Sequence, residues 1–132
     1  MREVLNLVHE LRTSTDSQCA LVLCVQEKLI VKENVMDPSI RAVLIRLSNT
    51  KLIIVNRSQR RIPKCLAIYH ELFHHYSHIP HRSPFHRNEV QADMFAACMV
   101  LTNHPERVAR CRLNNERLEC NYLAMVIKAL RK

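Results

Sequence analysis

The sequence contains no glycine, although average usage would place about nine in a chain of this length. Glycine is the residue that accepts positive φ and lets the backbone approach a phosphate group closely. Its absence excludes the P-loop and the dinucleotide-binding G-x-G-x-x-G turn. It also excludes the G-x-S-x-G turn that presents the nucleophile of serine hydrolases.

The sequence also lacks a long apolar run and any C-x-x-C pair. The longest clean apolar stretch, residues 94–101, is far too short to span a bilayer, and the first residues mix charge into their apolar positions, unlike a signal peptide. We therefore expect a cytosolic (cytoplasmic) protein with no membrane contact. In that reducing compartment the six cysteines are expected to be free thiols that pack as small apolar residues.

The residues that are present are typical of a soluble globular chain, with 48% hydrophobic and 24% charged residues. The 132 residues fit one domain, residues 1–132. Lysine and arginine outnumber the acids by 20 to 12, and they cluster at residues 57–64 and 107–117. No aromatic residue interleaves with either cluster to stack on bases, so we expect a solvated basic surface and at most weak nonspecific contact with nucleic acid.

Hydrophobic patterning predicts an α+β fold in which a small antiparallel sheet packs against helices. Helical spacing of apolar residues predicts a helix over residues 2–11. Apolar and β-branched runs predict strands at residues 19–25, 29–32, 41–47 and 51–56. The last two are expected to form an antiparallel hairpin, with Asn49 in the left-handed conformation that glycine usually takes.

The second half of the chain reads as helical. A helix is predicted from about Pro63 to Ser77, since proline suits a first helical turn, and a proline-containing loop follows over residues 79–87. Asn88 and Gln91 have the spacing of a capping box at the start of a second helix, which runs to about residue 101. One or two more helices are expected over residues 106–130.

The first of these helices contains an H-E-x-x-H motif formed by His70, Glu71 and His74. Residues four apart lie on one helical face, so both imidazoles can bind the same ion. A catalytic zinc site takes three protein ligands and keeps one position open for water. Glu71 would then lie beside that water and accept its proton. A polar helix face can carry the motif by chance, so a third ligand is needed.

Glu89 is the favoured third ligand, fifteen residues after His74, and Asp93 follows one turn later on the same face. A second carboxylate in that position can accept a hydrogen bond from a ligand imidazole and fix its tautomer. Both acids also suit the start of a helix, where the dipole favours negative charge. His81 and His86 in the preceding loop are alternative third ligands.

Residues 56–97 resemble the core of the ImmA/IrrE family of zinc metallopeptidases. The resemblance rests on I-I-V-N at residues 53–56, an arginine pair at 60–61, H-E-L-F-H at 70–74, a later histidine at 78, and E-V-Q-A-D-M-F-A-A at 89–97. With the upstream strand pair it covers roughly two thirds of the chain. The sequence departs from the family at Phe73, where a glycine is usual.

The resemblance implies that His70, His74 and Glu89 bind one zinc ion, that Glu71 is the general base, and that Asp93 supports a ligand. Members of the family cleave helix-turn-helix transcriptional repressors or are found beside them. The expected activity is therefore that of a zinc-dependent endopeptidase, a hydrolase whose substrate is such a repressor.

Such a reaction also needs a donor for the oxyanion of the tetrahedral intermediate. Tyr76, His78, His81 and His86 are the candidates for this role or for contact with substrate. His78 can equally serve the last carbonyl groups of its helix.

Three other interpretations remain open. The basic charge is compatible with a nucleic-acid-associated module in which zinc is structural. A SprT-like peptidase of DNA-bound proteins is less compatible, because that family usually adds a zinc ribbon. A catalytically silent pseudoprotease that binds a partner would have the same ligand set.

Overall fold

The computed structural model describes residues 2–14, 19–77 and 85–103. The elements in chain order are α1 (Arg2–Ser14), α2 (Ala20–Gln26), β1 (Leu29–Asn34), β2 (Ala42–Leu47), β3 (Thr50–Asn56), α3 (Arg61–Ser77) and α4 (Phe85–Asn103). The α+β class is confirmed. The helices predicted over residues 106–130 lie outside the described part of the chain. Within that part, no helix combines the length and apolar character needed to cross a membrane.

The sheet has the strand order β1-β3-β2 and is mixed rather than purely antiparallel as predicted. β2 and β3 form the expected antiparallel hairpin, closed by the two residues between Leu47 and Thr50. β1 pairs parallel with β3, from Leu29 opposite Lys51 to Asn34 opposite Asn56. The hairpin leaves one edge of β3 unpaired, and β1 occupies that edge.

The strand predicted at residues 19–25 is wrong, because this segment forms α2. A seven-residue apolar run does not by itself distinguish a buried strand from a short helix. The burial pattern shows the helical period: Ala20, Leu23 and Cys24 are buried, whereas Leu21 and Val25 are exposed. α2 thus contributes only one side to the core, and it packs against β1 and α3.

The prediction for Asn49 is also wrong. Among the described residues, the only positive φ belongs to Lys28, at 59°, where α2 turns into β1. A lysine in this conformation has a steric cost that glycine would not have. The chain therefore changes direction at Lys28 without glycine.

Asn56, at the end of β3, fixes the connection between β1 and β2. Its side chain is 1% exposed. The Nδ2 group donates hydrogen bonds to the carbonyl oxygens of Met36 (3.3 Å), Asp37 (3.2 Å) and Ile40 (2.9 Å). Oδ1 accepts hydrogen bonds from Met36 N (3.3 Å), and from the backbone N (3.2 Å) and hydroxyl (2.8 Å) of Ser58. The connection is thereby held across the end of β3.

The packing of α3 against α4 centres on Phe95, which is fully buried. The Phe95 ring lies 5.5 Å from Phe73 and 6.4 Å from both Tyr69 and Tyr76, measured between ring centroids. Three successive turns of α3 thus contact one side chain of α4. This cluster sets the register between the two helices.

The ends of α3 and α4 differ slightly from the prediction. α3 begins at Arg61, so Pro63 still lies in its first turn, where a missing N–H is tolerated. α4 begins at Phe85. Asn88 is therefore inside the helix and is not its cap.

The described cysteines are all free thiols. Cys24 and Cys98 are buried, and burial raises their pKa to about 12 and about 11, respectively. They pack as small apolar residues, as predicted. Cys19 is exposed and Cys65 is half-buried, so the prediction does not hold for Cys19.

Candidate metal centre

Three side chains from two helices converge on one point, as the sequence predicts. His70 and His74 extend from α3, and Glu89 extends from α4. The two carboxylate oxygens of Glu89 lie 2.9 Å from His70 Nε2 and 2.9 Å from His74 Nε2. The two Nε2 atoms are 3.2 Å apart. This His-His-Glu group can hold a metal ion.

Asp93 occupies the supporting position predicted for it. Its Oδ1 lies 2.8 Å from His70 Nδ1, on the side of the ring that faces away from Glu89. Nδ1–H donates to this carboxylate, which leaves the lone pair of Nε2 directed at the convergence point. One turn of α4 therefore supplies both the carboxylate of the His-His-Glu group and the carboxylate that orients His70.

The two imidazoles have opposite pKa shifts. Burial disfavours the charged form of His70, but the hydrogen bond to Asp93 and the neighbouring carboxylates outweigh burial and raise its pKa. Burial and the charge of His70 lower the pKa of His74, and Arg46 acts in the same direction. The carboxylates thus favour positive charge at the site, as a cation-binding centre requires.

Glu71 lies beside the ligands and is half-buried. Burial is the main cause that raises its pKa to about 7, and the negative charge of Glu89 adds to the effect. The positive charge of His70 opposes it. A carboxyl group with a pKa near neutrality can both accept and return a proton at physiological pH.

The site opens into a cleft of about 490 Å³. One wall consists of residues 39–42, which belong to the segment held by Asn56 and to the start of β2. The other wall carries Glu71, Glu89 and Asp93 with small apolar residues of α3 and α4. The ligand group is therefore accessible from the cleft and is not enclosed by protein on all sides.

The remaining predicted residues fall in different places. Tyr76 does not line the cleft: it packs against Phe95 and His75, and its pKa is raised by burial and by Glu27, the residue that follows α2. His78 and His81 lie outside the described residues. The backbone of His86 belongs to the first turns of α4, whereas a loop was predicted, and its side chain is outside the description.

Phe73, the departure from the expected glycine, lies behind the ligands. It is 5% exposed and contacts both Phe95 and the ring of His74, with centroids 5.5 Å and 6.3 Å away. Phe73 therefore fills the space between the metal centre and the core and leaves the cleft open.

A row of three hydrogen-bonded side chains next to the site, Lys51, His75 and Glu27, was not predicted. His75 Nδ1 lies 2.9 Å from Lys51 Nζ, and His75 Nε2 lies 2.9 Å from an oxygen of Glu27. The ammonium group can only donate, so Nδ1 is the acceptor and Nε2–H donates to Glu27. These two contacts link α3, at the residue that follows His74, to β3 and to the residue that follows α2. Only long-range pairing brings these residues together, and the sequence pattern carries no signal for it.

Arg41 and Arg46 were also missed. Arg41 lines the cleft. Arg46 is close enough to His74 to affect its pKa. The alternation of residues along β2 is the one signal that would have placed Arg46 on the face of the hairpin that contacts α3.

Comparison with known proteins gives no further assignment. No family model, no curated protein and no solved structure matches the chain. The functional conclusion therefore depends on the residues and their geometry.

Proposed function

We propose that the protein is a zinc-dependent endopeptidase. The observation that carries this proposal is the convergence of His70, His74 and Glu89 at the edge of an open cleft, with Glu71 beside them. Imidazole nitrogen and carboxylate oxygen are the ligands that zinc takes in peptidases of the H-E-x-x-H type. Asp93 adds the carboxylate that typically orients a ligand histidine.

The donor set and the cleft favour catalytic over structural zinc. Structural zinc sites are closed by four protein ligands, most often cysteines. Within the described residues the group has three ligands, none of them a cysteine, and it faces a cleft. This arrangement leaves room for a water molecule and for a substrate carbonyl group.

In the proposed reaction zinc, when bound, supplies Lewis acidity that lowers the pKa of water and polarises a peptide carbonyl. The carboxylate of Glu71 accepts the proton of the attacking water and then donates it to the leaving amine. His70 is held in position by Asp93, and Glu89 balances positive charge. The segment fixed by Asn56 forms the wall against which a peptide would lie.

The substrate proposed is a helix-turn-helix repressor, which is the substrate class implied by the resemblance to ImmA/IrrE peptidases. Two segments that carry the resemblance support this proposal: H-E-L-F-H in α3 and E-V-Q-A-D-M-F-A-A in α4 supply the His-His-Glu group and Asp93. The net charge of +8 also favours an encounter with a protein on or near DNA.

Glu71→Gln tests the catalytic assignment. We expect this variant to retain one zinc per chain, measured by plasma emission. We expect it to lose cleavage of an unstructured protein substrate, or of a helix-turn-helix repressor whose gene lies next to the gene of this protein. Cleavage by Glu71→Gln at the wild-type rate would refute the role of Glu71. Failure of the wild-type protein to take up zinc from a zinc-containing buffer would refute the metal site itself.

A further inference from the structure

Two arginines on the β2 side lie near the proposed metal site: one is in the wall of the cleft, and the other, Arg46, is outside the lining of the cleft but close to His74. Arg41 is half-buried and lines the cleft just before β2. Arg46 lies five residues later, near the end of that strand. Within the described part of the chain neither guanidinium forms an ion pair, whereas Lys64 is paired with Glu33 at 2.6 Å.

The hairpin register determines which way Arg46 faces. Side chains alternate between the two faces of a strand, and Ala42 and Leu44 of β2 pack against the core. Arg46 lies two residues after Leu44 and therefore faces the same side of the strand. Its partner on β3 is Lys51, whose Nζ contacts His75 of α3. Arg46 is thus an exposed cation on the helix-facing side of β2, beside the end of α3 that carries His74.

The opposite wall carries the negative charge of Glu71, Glu89 and Asp93. A divalent ion offsets two of these three charges, and the two arginines then outweigh the third. An approaching chain would meet the metal ion on one side and, on the β2 side, Arg41 in the cleft wall and Arg46 beside His74. Such a cleft attracts carboxylates and repels lysine and arginine side chains.

We propose that the cleft selects acidic protein segments, and that Arg41 and Arg46 are the residues that make this selection. The inference rests on the proposed peptidase function and specifies its substrate class. Strand residues rise by about 3.3 Å, so the two arginines lie roughly 17 Å apart along β2. Arg41 precedes β2 and lines the cleft, so the alternation along the strand does not fix its direction, and the two guanidinium groups can meet carboxylates about five residues apart on an extended segment.

Nucleic acid fits this cleft less well than an acidic peptide. Phosphate groups would face the carboxylates of Glu71, Glu89 and Asp93. Aromatic side chains for stacking on bases are missing from the described residues that line the cleft.

The test uses the zinc-loaded protein and three internally quenched peptides of twelve residues. The peptides differ only at two positions five residues apart, which are both Glu, both Gln or both Lys. We expect kcat/KM to fall in the order Glu, Gln, Lys, with roughly a two- to fivefold step for each exposed charge pair. Arg46→Gln leaves Arg41 as the one arginine of the pair, so the ratio of kcat/KM for the Glu peptide to that for the Gln peptide should fall to the value that Arg41 produces by itself. Arg46→Glu should raise kcat/KM for the Lys peptide relative to the Glu peptide.

Lys32→Gln is the matched control, because it removes one exposed positive charge from β1 at the opposite edge of the sheet. It should leave the Glu-to-Gln ratio as in the wild-type protein. Equal kcat/KM for the Glu and Gln peptides would overturn the inference. It would also be overturned if Lys32→Gln changed the ratio as much as Arg46→Gln, since net charge alone would then explain the preference.

A binding arm separates this inference from the proposed function. Zinc-loaded Glu71→Gln is titrated with fluorescent forms of the same peptides, and anisotropy is measured. Absence of cleavage by the wild-type protein would refute the peptidase, whereas loss of the Glu preference in binding would refute the selection by arginine. Displacement of the Glu peptide by a single-stranded oligonucleotide at lower concentration than by unlabelled Glu peptide would assign the arginines to nucleic acid and overturn the inference.

Discussion

Replacing Asn56 by aspartate should destabilise the protein far more than the change of one atom suggests. The Nδ2 group of Asn56 donates to three backbone carbonyl oxygens, at 2.9–3.3 Å. An ionised aspartate has no donor, and its second oxygen would face these three oxygens in a buried site. The variant therefore loses the hydrogen bonds of both Nδ2 hydrogens, one of which is shared between two carbonyl oxygens, and gains a desolvated negative charge.

The size of the effect follows from these contacts. Each hydrogen bond contributes about 1 kcal/mol net, and an unpaired buried acceptor costs a similar amount. We expect Asn56→Asp to lower the free energy of unfolding by about 3–4 kcal/mol at pH 7, a large part of the 5–15 kcal/mol typical of a domain. Ser58→Ala, which removes only the 2.8 Å bond to Oδ1, should cost about 1 kcal/mol.

The penalty should also depend on pH. Burial and three facing carbonyl groups would raise the pKa of the new carboxyl group above its unfolded value of about 3.9. Stability is then lost as the pH rises through the folded-state pKa, and the penalty should shrink toward pH 4.5, where the protonated carboxyl group can donate one hydrogen bond.

Urea unfolding followed by circular dichroism at pH 7 and pH 4.5 measures both effects. Asn34→Asp is the control, because Asn34 is exposed at the end of β1 and the charge change is the same. Its effect should stay within about 0.5 kcal/mol. The reasoning fails if the two variants differ by less than about 1 kcal/mol at pH 7, or if the penalty of Asn56→Asp grows as the pH falls.

Three further predictions concern the metal centre and its support. Asp93→Asn should weaken zinc binding by roughly 10- to 100-fold in a chelator competition, since His70 loses its charged partner; unchanged affinity would remove Asp93 from the site. The raised pKa of Glu71 in the folded chain means that its stabilising contribution is present below about pH 4.5 and is lost as the pH rises through about 7. In chelator-treated protein, Glu71→Gln should therefore raise the free energy of unfolding by roughly 2–3 kcal/mol at pH 8 and have little effect at pH 4, and the opposite order would contradict the assignment of burial as the cause. Phe95→Ala should cost about 3–5 kcal/mol and lower zinc affinity as well, measured by thermal unfolding and by metal titration.

The convergence of the His-His-Glu group could be predicted from the sequence because helical geometry links spacing to direction. His70 and His74 share a face at four residues, and Glu89 and Asp93 do the same on the next helix. Both pairs are where the periodicity puts them. The same geometry explains why Tyr76 does not line the cleft, since it is two residues from His74 and therefore about 200° around the helix.

Features that depend on distant pairing could not be predicted in this way. The parallel position of β1 depends on which edge of the hairpin remains unpaired. The helical form of α2 depends on packing against β1 and α3, because its short apolar run is compatible with either structure. Arg46 is one exposed basic residue among many in the sequence, and it becomes distinctive only through its register opposite Lys51.

The aromatic cluster around Phe95 also determines which carboxylate of α4 meets His70 and His74. Glu89 and Asp93 are one helical turn apart, so sliding α4 by about 5.4 Å along its axis would exchange their positions. Aspartate is one methylene shorter than glutamate. After such a slip, either the carboxylate would no longer reach both His70 and His74, or His70 would lose its hydrogen-bond partner. Phe95 interlocks with three turns of α3 and opposes this slip. The position of Glu89 in the His-His-Glu group thus depends on apolar packing as well as on the acidic residues.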